Sequence, residues 1–137
     1  MRIDENIFVD TNILIYALDK KSTFHDFSQK ILTENEDKIF IAAKSLTKFV
    51  AVISKIGEHR IIVKELPNLI SNYNVIYPTE QSFLIFYDLI KKYKPKGNRV
   101  YDFEIVSLML ESKIETIVTI NEADFKHIKE IKLITNK

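Results

Sequence analysis

Apolar positions along the chain switch between two rhythms. Short β-branched and aromatic runs, bounded by polar residues, predict buried strands at Ile7-Phe8-Val9, Ile39-Phe40-Ile41, Val75-Ile76-Tyr77, Thr116 to Ile120 and Ile131 to Ile134. Between them, apolar residues recur every three or four positions, the spacing of a helix with one buried stripe. This predicts helices over Asn12 to Leu18, Phe24 to Asn35, Ser45 to Ile56, Ile61 to Ser71, Glu80 to Lys92 and Asp102 to Ser112. Phe24, Phe27, Ile31 and Leu32 mark one inner face, and Leu46, Phe49, Val50 and Ile53 another. Ile62, Leu66, Leu69 and Ile70 repeat the pattern, as do Phe83, Phe86, Tyr87, Ile90 and Tyr93. In the helix led by Asp102, Ile105, Leu108 and Met109 point inward. Strands alternating with helices imply an α/β layered fold with a mainly parallel sheet.

Composition narrows the picture without changing it. The 137 residues fit one domain over 1–137, and 46% apolar residues suffice for a full core. Two Gly and three Pro favour long regular elements over a loop-rich all-β chain. The absence of cysteine excludes disulfides, a cysteine-bound zinc and thiol catalysis, and suits the cytoplasm. No apolar run approaches the ~18 residues of a membrane span, and charges in MRIDENIF argue against a signal peptide. The net charge of +1 hides a local cluster, KKYKPKGNR at 91–99, which carries Lys91, Lys92, Lys94, Lys96 and Arg99 around Tyr93.

The first strand ends abruptly at a carboxylate, Asp10, in the run NIFVDTNILIYAL. Asp10 can cap the helix that follows, and a cap can also face a ligand. In open parallel sheets, ligands sit beyond the carboxyl ends of the strands, where Asp10 lies. Asp102 opens its helix, where a cap is again the plain explanation and the helix dipole favours a carboxylate. Asp124, in TINEADF, reads by itself as part of a polar turn. Together the three gain meaning, because each falls at one edge of the predicted sheet. Three close carboxylates repel unless protons or a cation intervene. Hard oxygen ligands suit Mg²⁺ or Mn²⁺, ions that serve phosphodiester hydrolysis by activating water and stabilising the leaving oxygen.

VDTNILIYAL, SLTKF, RVYDFEIVSLML and VTINEADF, in that order, closely resemble the PIN-domain nucleases, in particular VapC-type toxins of toxin–antitoxin pairs. The resemblance runs from about Ile7 to Asp124. It implies a three-layer α/β/α fold and a Mg²⁺- or Mn²⁺-dependent endoribonuclease acting on single-stranded RNA. It also implies an antitoxin protein partner and a homodimer. Asp10, Asp102 and Asp124 match three of the family's acidic residues, which are its catalytic and metal-holding positions. Asn12 matches the polar residue beside the first acid, and Thr119 and Asn121 match small polar positions before the last.

One position departs from the family pattern. Lys48 stands in SLTKF where a glutamate is usual, turning a negative site into a positive one. Two unit charges ~4 Å apart interact by ~4 kcal/mol at an effective dielectric of ~20, and a divalent ion roughly doubles that. An inward ammonium therefore opposes metal binding by several kcal/mol unless its flexible stem carries it outward. A naturally weakened site, an introduced change that blunts a toxic enzyme, and a shifted helix register all account for Lys48 equally. A silenced domain that binds RNA or a protein partner is thus the competing function. A phosphoryl-transfer domain ranks below both, because D-T-N lacks the second acid of a D-x-D motif. In the basic loop, Lys94, Lys96 and Arg99 are candidates for RNA phosphates and Tyr93 for base stacking, against the plain reading of a solvated loop. His25, His59 and His127 are scattered, with no ligand spacing.

Overall fold

The computed structural model describes residues 1–136. Five strands form one sheet: β1 (Ile7–Val9), β2 (Ile39–Ala42), β3 (Asn74–Ile76), β4 (Thr116–Val118) and β5 (Lys132–Ile134). All four pairings are parallel, and the strand order is β3-β2-β1-β4-β5. The central β1 pairs Ile7 with Ile39 on one side and Val9 with Val118 on the other.

The helices are α1 (Thr11–Tyr16), α2 (His25–Glu34), α3 (Ala43–Lys55), α4 (His59–Asn72), α5 (Glu80–Tyr93), α6 (Arg99–Glu111) and α7 (Glu122–Phe125). They divide between two faces, giving three layers. Ile7 and Val9 turn to one side and pack with Ile13, Ile31, Phe49 and Leu69 from α1 to α4. Phe8 turns to the other and packs with Leu89, Phe103, Met109 and Phe125 from α5 to α7. The alternation follows from the two-residue period of a strand, and burial of all three β1 residues from having a layer on each face.

Strand order fixes where a site can form. From β1 the chain winds outward through β2 to β3, then returns across the opposite face to place β4 against the free side of β1. Right-handed crossovers in opposite directions put their helices on opposite faces. The order therefore reverses between β1 and β4, and the carboxyl ends of those two strands flank an open crevice. Helices α3 and α6 run back over the sheet, so their first turns stand at this edge.

Several boundaries differ from the sequence reading. Helix α6 starts at Arg99, three residues before the predicted start, so Asp102 lies inside its first turns instead of capping it. Asn98 takes the cap position without a side-chain cap bond. Phe103 and Ile105 to Met109 are buried, because α6 lies between the sheet and α5. A one-sided stripe was the wrong template there. On α5 the sequence groups Phe83 and Tyr87 with the apolar set, but they are 51% and 59% exposed. Ser82 and Leu89 are buried, with Phe86, Ile90 and Tyr93 packed beside them. Similarly Ile70 of α4 faces outward. Strand β4 ends at Val118, freeing Thr119 and Ile120 from the predicted strand. Among the described residues, no helix is long and apolar enough to cross a membrane.

Phe8 is fully buried at the centre of this arrangement. Phe8→Ala should cost about 3–5 kcal/mol through lost burial and the cavity left behind. Urea unfolding followed by circular dichroism measures it, with an unchanged slope if only stability is affected.

Candidate functional site

Asp10 is both cap and pocket wall. Its backbone is extended, and its Oδ1 accepts the Thr11 N–H at 2.8 Å, capping α1. Its backbone N–H donates to the Val118 carbonyl at 3.0 Å, tying the end of β1 to the end of β4. Across that junction the Thr119 hydroxyl donates to Asp10 Oδ2 at 2.8 Å. The Asn12 amide donates to the same oxygen at 3.3 Å, and its own carbonyl oxygen accepts the Ile120 N–H at 3.4 Å. Thr119 Oγ1 in turn accepts the Asn121 N–H at 3.0 Å. A hydroxyl has one donor and two acceptor sites, so Thr119 can hold the carboxylate and shape the following loop together. The two motifs D-T-N and T-x-N are thus one network, joined by more than a hundred residues of intervening fold.

An open cavity of about 350 Å³ lies against this network. Its walls include Asp10 and Asn12 from β1–α1, Lys48 from α3, Arg99 and Asp102 from α6, and Asn121 and Asp124 around α7. The three predicted acids therefore face one crevice at the carboxyl edge of the sheet. Asp124 reaches it from a short helix that the sequence reading took for a turn. Lys48 also faces it, while Leu46 and Phe49 of the same helix are buried. Thr11 contributes a buried hydroxyl that has no hydrogen-bond partner among the described residues.

Burial raises the Asp10 carboxyl above its ordinary range. Hydrogen bonds from Thr119 and Thr11 and the Lys48 charge oppose that rise, while the Asp124 charge adds to it. Asp102 is pushed up to about 6, first by burial and then by the Asp124 and Asp10 carboxylates, against the pull of Lys48 and Arg99. A crevice that raises its acids in this way favours either protons or a cation.

The donor set, three oxygens of hard carboxylates, suits Mg²⁺ or Mn²⁺. As they stand, the side chains do not close into a cage: among the described residues, no group of three His, Asp or Glu could hold a metal ion. Like charges keep apart, and Arg99 draws Asp124 to itself. The Arg99 guanidinium lies 3.9 Å from the Asp124 carboxylate and donates to the Asp124 backbone carbonyl at 3.0 Å. The fit is one of chemistry and location, with the acids poised around a shared space.

The basic loop divides. Arg99 lines the crevice, whereas Lys94 and Lys96 are exposed and do not line it. Lys94 caps the end of α5 in a left-handed conformation, φ 50°. Tyr93 offers no free stacking face. Its ring packs 5.1 Å from that of Phe103, and its hydroxyl donates to Glu130 at 2.6 Å and accepts the Lys129 N–H at 3.0 Å. An exposed aromatic lies beside the crevice-lining Lys48 instead: Tyr101, 42% exposed, with the Lys44 and Lys48 ammoniums 5.1 and 5.2 Å from its ring centre. The sequence reading missed it. The available signal was an aromatic directly before a site acid, in V-Y-D.

The PIN domain family model matches residues 7–131. No curated protein matches the chain by sequence. Among solved structures, VapBC2 from Rickettsia felis, bound to a DNA fragment from its promoter, is similar with a TM-score of 0.75 and 22% identity, over 96% of this chain and 98% of that one. A toxin–antitoxin complex from Klebsiella pneumoniae gives 0.72 and 20%, over 96% and 97%. VapC20 from Mycobacterium tuberculosis, a toxin that cleaves the sarcin–ricin loop, gives 0.68 and 13%, over 82% and 87%. At these identities the likeness is one of fold.

The raised Asp102 carboxyl has a consequence for the metal-free protein. Where the folded-state pKa exceeds the unfolded value, the folded chain holds a proton that the unfolded chain has released. That stabilisation is full below pH 3.8 and is lost as pH rises through about 6. Asp102→Asn should therefore lose less stability than the parent between about pH 4 and about pH 7, read from urea midpoints with a chelator present.

Proposed function

The chain belongs to the PIN-domain family, and we propose that it is a Mg²⁺- or Mn²⁺-dependent endoribonuclease cleaving single-stranded RNA, the toxin of a toxin–antitoxin pair. The observation that carries this reading is the meeting of Asp10, Asp102 and Asp124, from three separate segments, in one crevice at the reversal of strand order. The RNA-cleaving toxin among the structural neighbours supports the substrate class, and the toxin–antitoxin complexes support an antitoxin protein as partner. The homodimer follows from the resemblance alone. An intracellular site of action, the cytoplasm, fits such a target.

In this reading Asp10, Asp102 and Asp124 would hold the divalent ion, their side chains converging on it from around the shared crevice. Once bound, that ion supplies a polarised water for attack and positive charge for the leaving oxygen. The protein supplies the rest. Thr119 and Asn12 fix the Asp10 carboxylate from the β4 side, so its orientation does not depend on the ligand. Asn121 is held at the rim by its N–H bond to Thr119. Arg99 offsets part of the acidic charge and offers a cation to a phosphate once Asp124 turns to another partner. At neutral pH Asp102, with a pKa of about 6, is mostly ionised, ready for a cation and not for a proton.

Asp10→Asn should abolish RNA cleavage in Mg²⁺ or Mn²⁺, measured on a labelled single-stranded substrate. Parent-level cleavage by that variant would discard the assignment.

A second reading is favoured by Lys48, whose ammonium acts on both Asp10 and Asp102 from the wall of the same crevice. The domain would then be weakened or silent as an enzyme and serve as a binding module for RNA or for an antitoxin-like protein. Parallel cleavage assays of the parent and Lys48→Glu in Mn²⁺ separate the two. Cleavage by the glutamate version alone supports the binding module, and equal cleavage by both refutes it.

A further inference from the structure

Lys48 is unusual among the cations at the crevice. Arg99 is engaged with Asp124 through both its side chain and its backbone, and Lys44 is 4.0 Å from Glu104. Among the described residues, the Lys48 ammonium has no hydrogen bond and no ion pair within 4.0 Å. It nevertheless lines the same cavity as three carboxylates. What it touches is the Tyr101 ring, 5.2 Å away. A cation held over a ring is only weakly retained at a partly exposed site. Its three N–H donors are therefore open to any oxyanion that enters. Tyr101 itself is 42% exposed and does not line the cavity, but it lies against Lys48 and precedes Asp102, both of which do.

We propose that Lys48 and Tyr101 form a nucleotide subsite beside the carboxylates. The ammonium takes a phosphate oxygen of single-stranded RNA, and the ring stacks on the adjoining base. This rests on the RNA reading above and assigns its substrate contacts. Baring the ring for a base takes both ammoniums off it: Lys48 goes to the phosphate, and Lys44, 5.1 Å from the ring centre, swings to Glu104, which already stands 4.0 Å from it. The arrangement also answers a charge problem. A phosphodiester approaching three carboxylates is repelled, and a cation without a carboxylate partner offsets that repulsion at the point of entry. A stem of four methylenes lets Lys48 serve the phosphate without sitting among the acids.

The test is equilibrium binding of a short fluorescein-labelled, unstructured RNA to the full chain, read by anisotropy with a chelator present so that no turnover occurs. Lys48→Met keeps the stem and removes the charge. It should weaken binding several-fold and flatten the dependence of log Kd on log salt by roughly 0.7, the value for one phosphate contact on a single strand. Tyr101→Ala should weaken binding by about tenfold, whereas Tyr101→Phe, which keeps the stacking face, should bind like the parent. Melting curves by circular dichroism confirm that each variant is folded. Parent-like salt dependence in Lys48→Met, or parent-like affinity in Tyr101→Ala, overturns the subsite. If the parent still cleaves RNA in Mn²⁺, only the subsite falls. A parent chain that neither binds nor cleaves RNA takes the RNA reading with it.

Discussion

The hydrogen bond from Thr119 to Asp10 joins the ends of the two strands between which the sheet reverses its order. The rest of the site is arranged around that junction. Strands β1 and β4 become neighbours only after the chain has wound outward to β3 and returned across the other face. Once they pair, Val9 beside Val118 sets the register, and the next residue on each strand must leave the sheet at the same level. Asp10 and Thr119 are those residues. Both the carboxylate and the hydroxyl that holds it are thus products of parallel pairing. A slip of one position would turn Phe8 towards the layer that Ile7 and Val9 pack against and break the network.

Around that fixed point the site is an unfinished charge balance. Three carboxylates share a crevice with two cations, Arg99 and Lys48, which behave differently. Arg99 is committed to Asp124, and its planar fork also reaches the backbone of α7, so it binds that helix as well as its acid. Lys48 rests on a ring instead of an acid. The carboxyl of Asp10 stays raised despite Lys48, and that of Asp102 despite Lys48 and Arg99, because burial outweighs the attraction. Such a site is receptive to a further cation from solution. Lys48 meanwhile supplies positive charge on the side from which a phosphate would arrive. One residue that weakens the affinity for a metal can in this way strengthen the affinity for a polyanion, and the two effects act on the same bound state.

The outer elements show how far neighbourhood overrides pattern. The apolar stripe of α5 was correct as a sign of helix but not as a map of burial, because α6 contacts a narrower face than the stripe offers and leaves Phe83 and Tyr87 in solvent. Tyr93, which looked like a stacking platform within a basic loop, is consumed by Phe103 and Glu130. The aromatic left exposed beside the crevice is Tyr101, set there because α6 starts earlier than its sequence implied and turns this residue toward α3.

By itself, the sequence determined the alternation of strand and helix, the parallel α/β architecture, the placement of Asp10 at a strand end and the motifs that carry the family resemblance. These are legible because strand and helix periods are local, and because an acid breaking an apolar run is conspicuous wherever it lies. Tertiary structure alone decided that Thr119 holds Asp10, that Asp124 rides on a short helix within reach of Arg99, that Lys48 faces the crevice without pairing with its acids, and that Tyr101 rather than Tyr93 stands open. Each of these depends on groups that come from different elements. Their distances are set by strand order and by the rotation of each helix about its axis, and neither quantity is written in any local stretch of the chain.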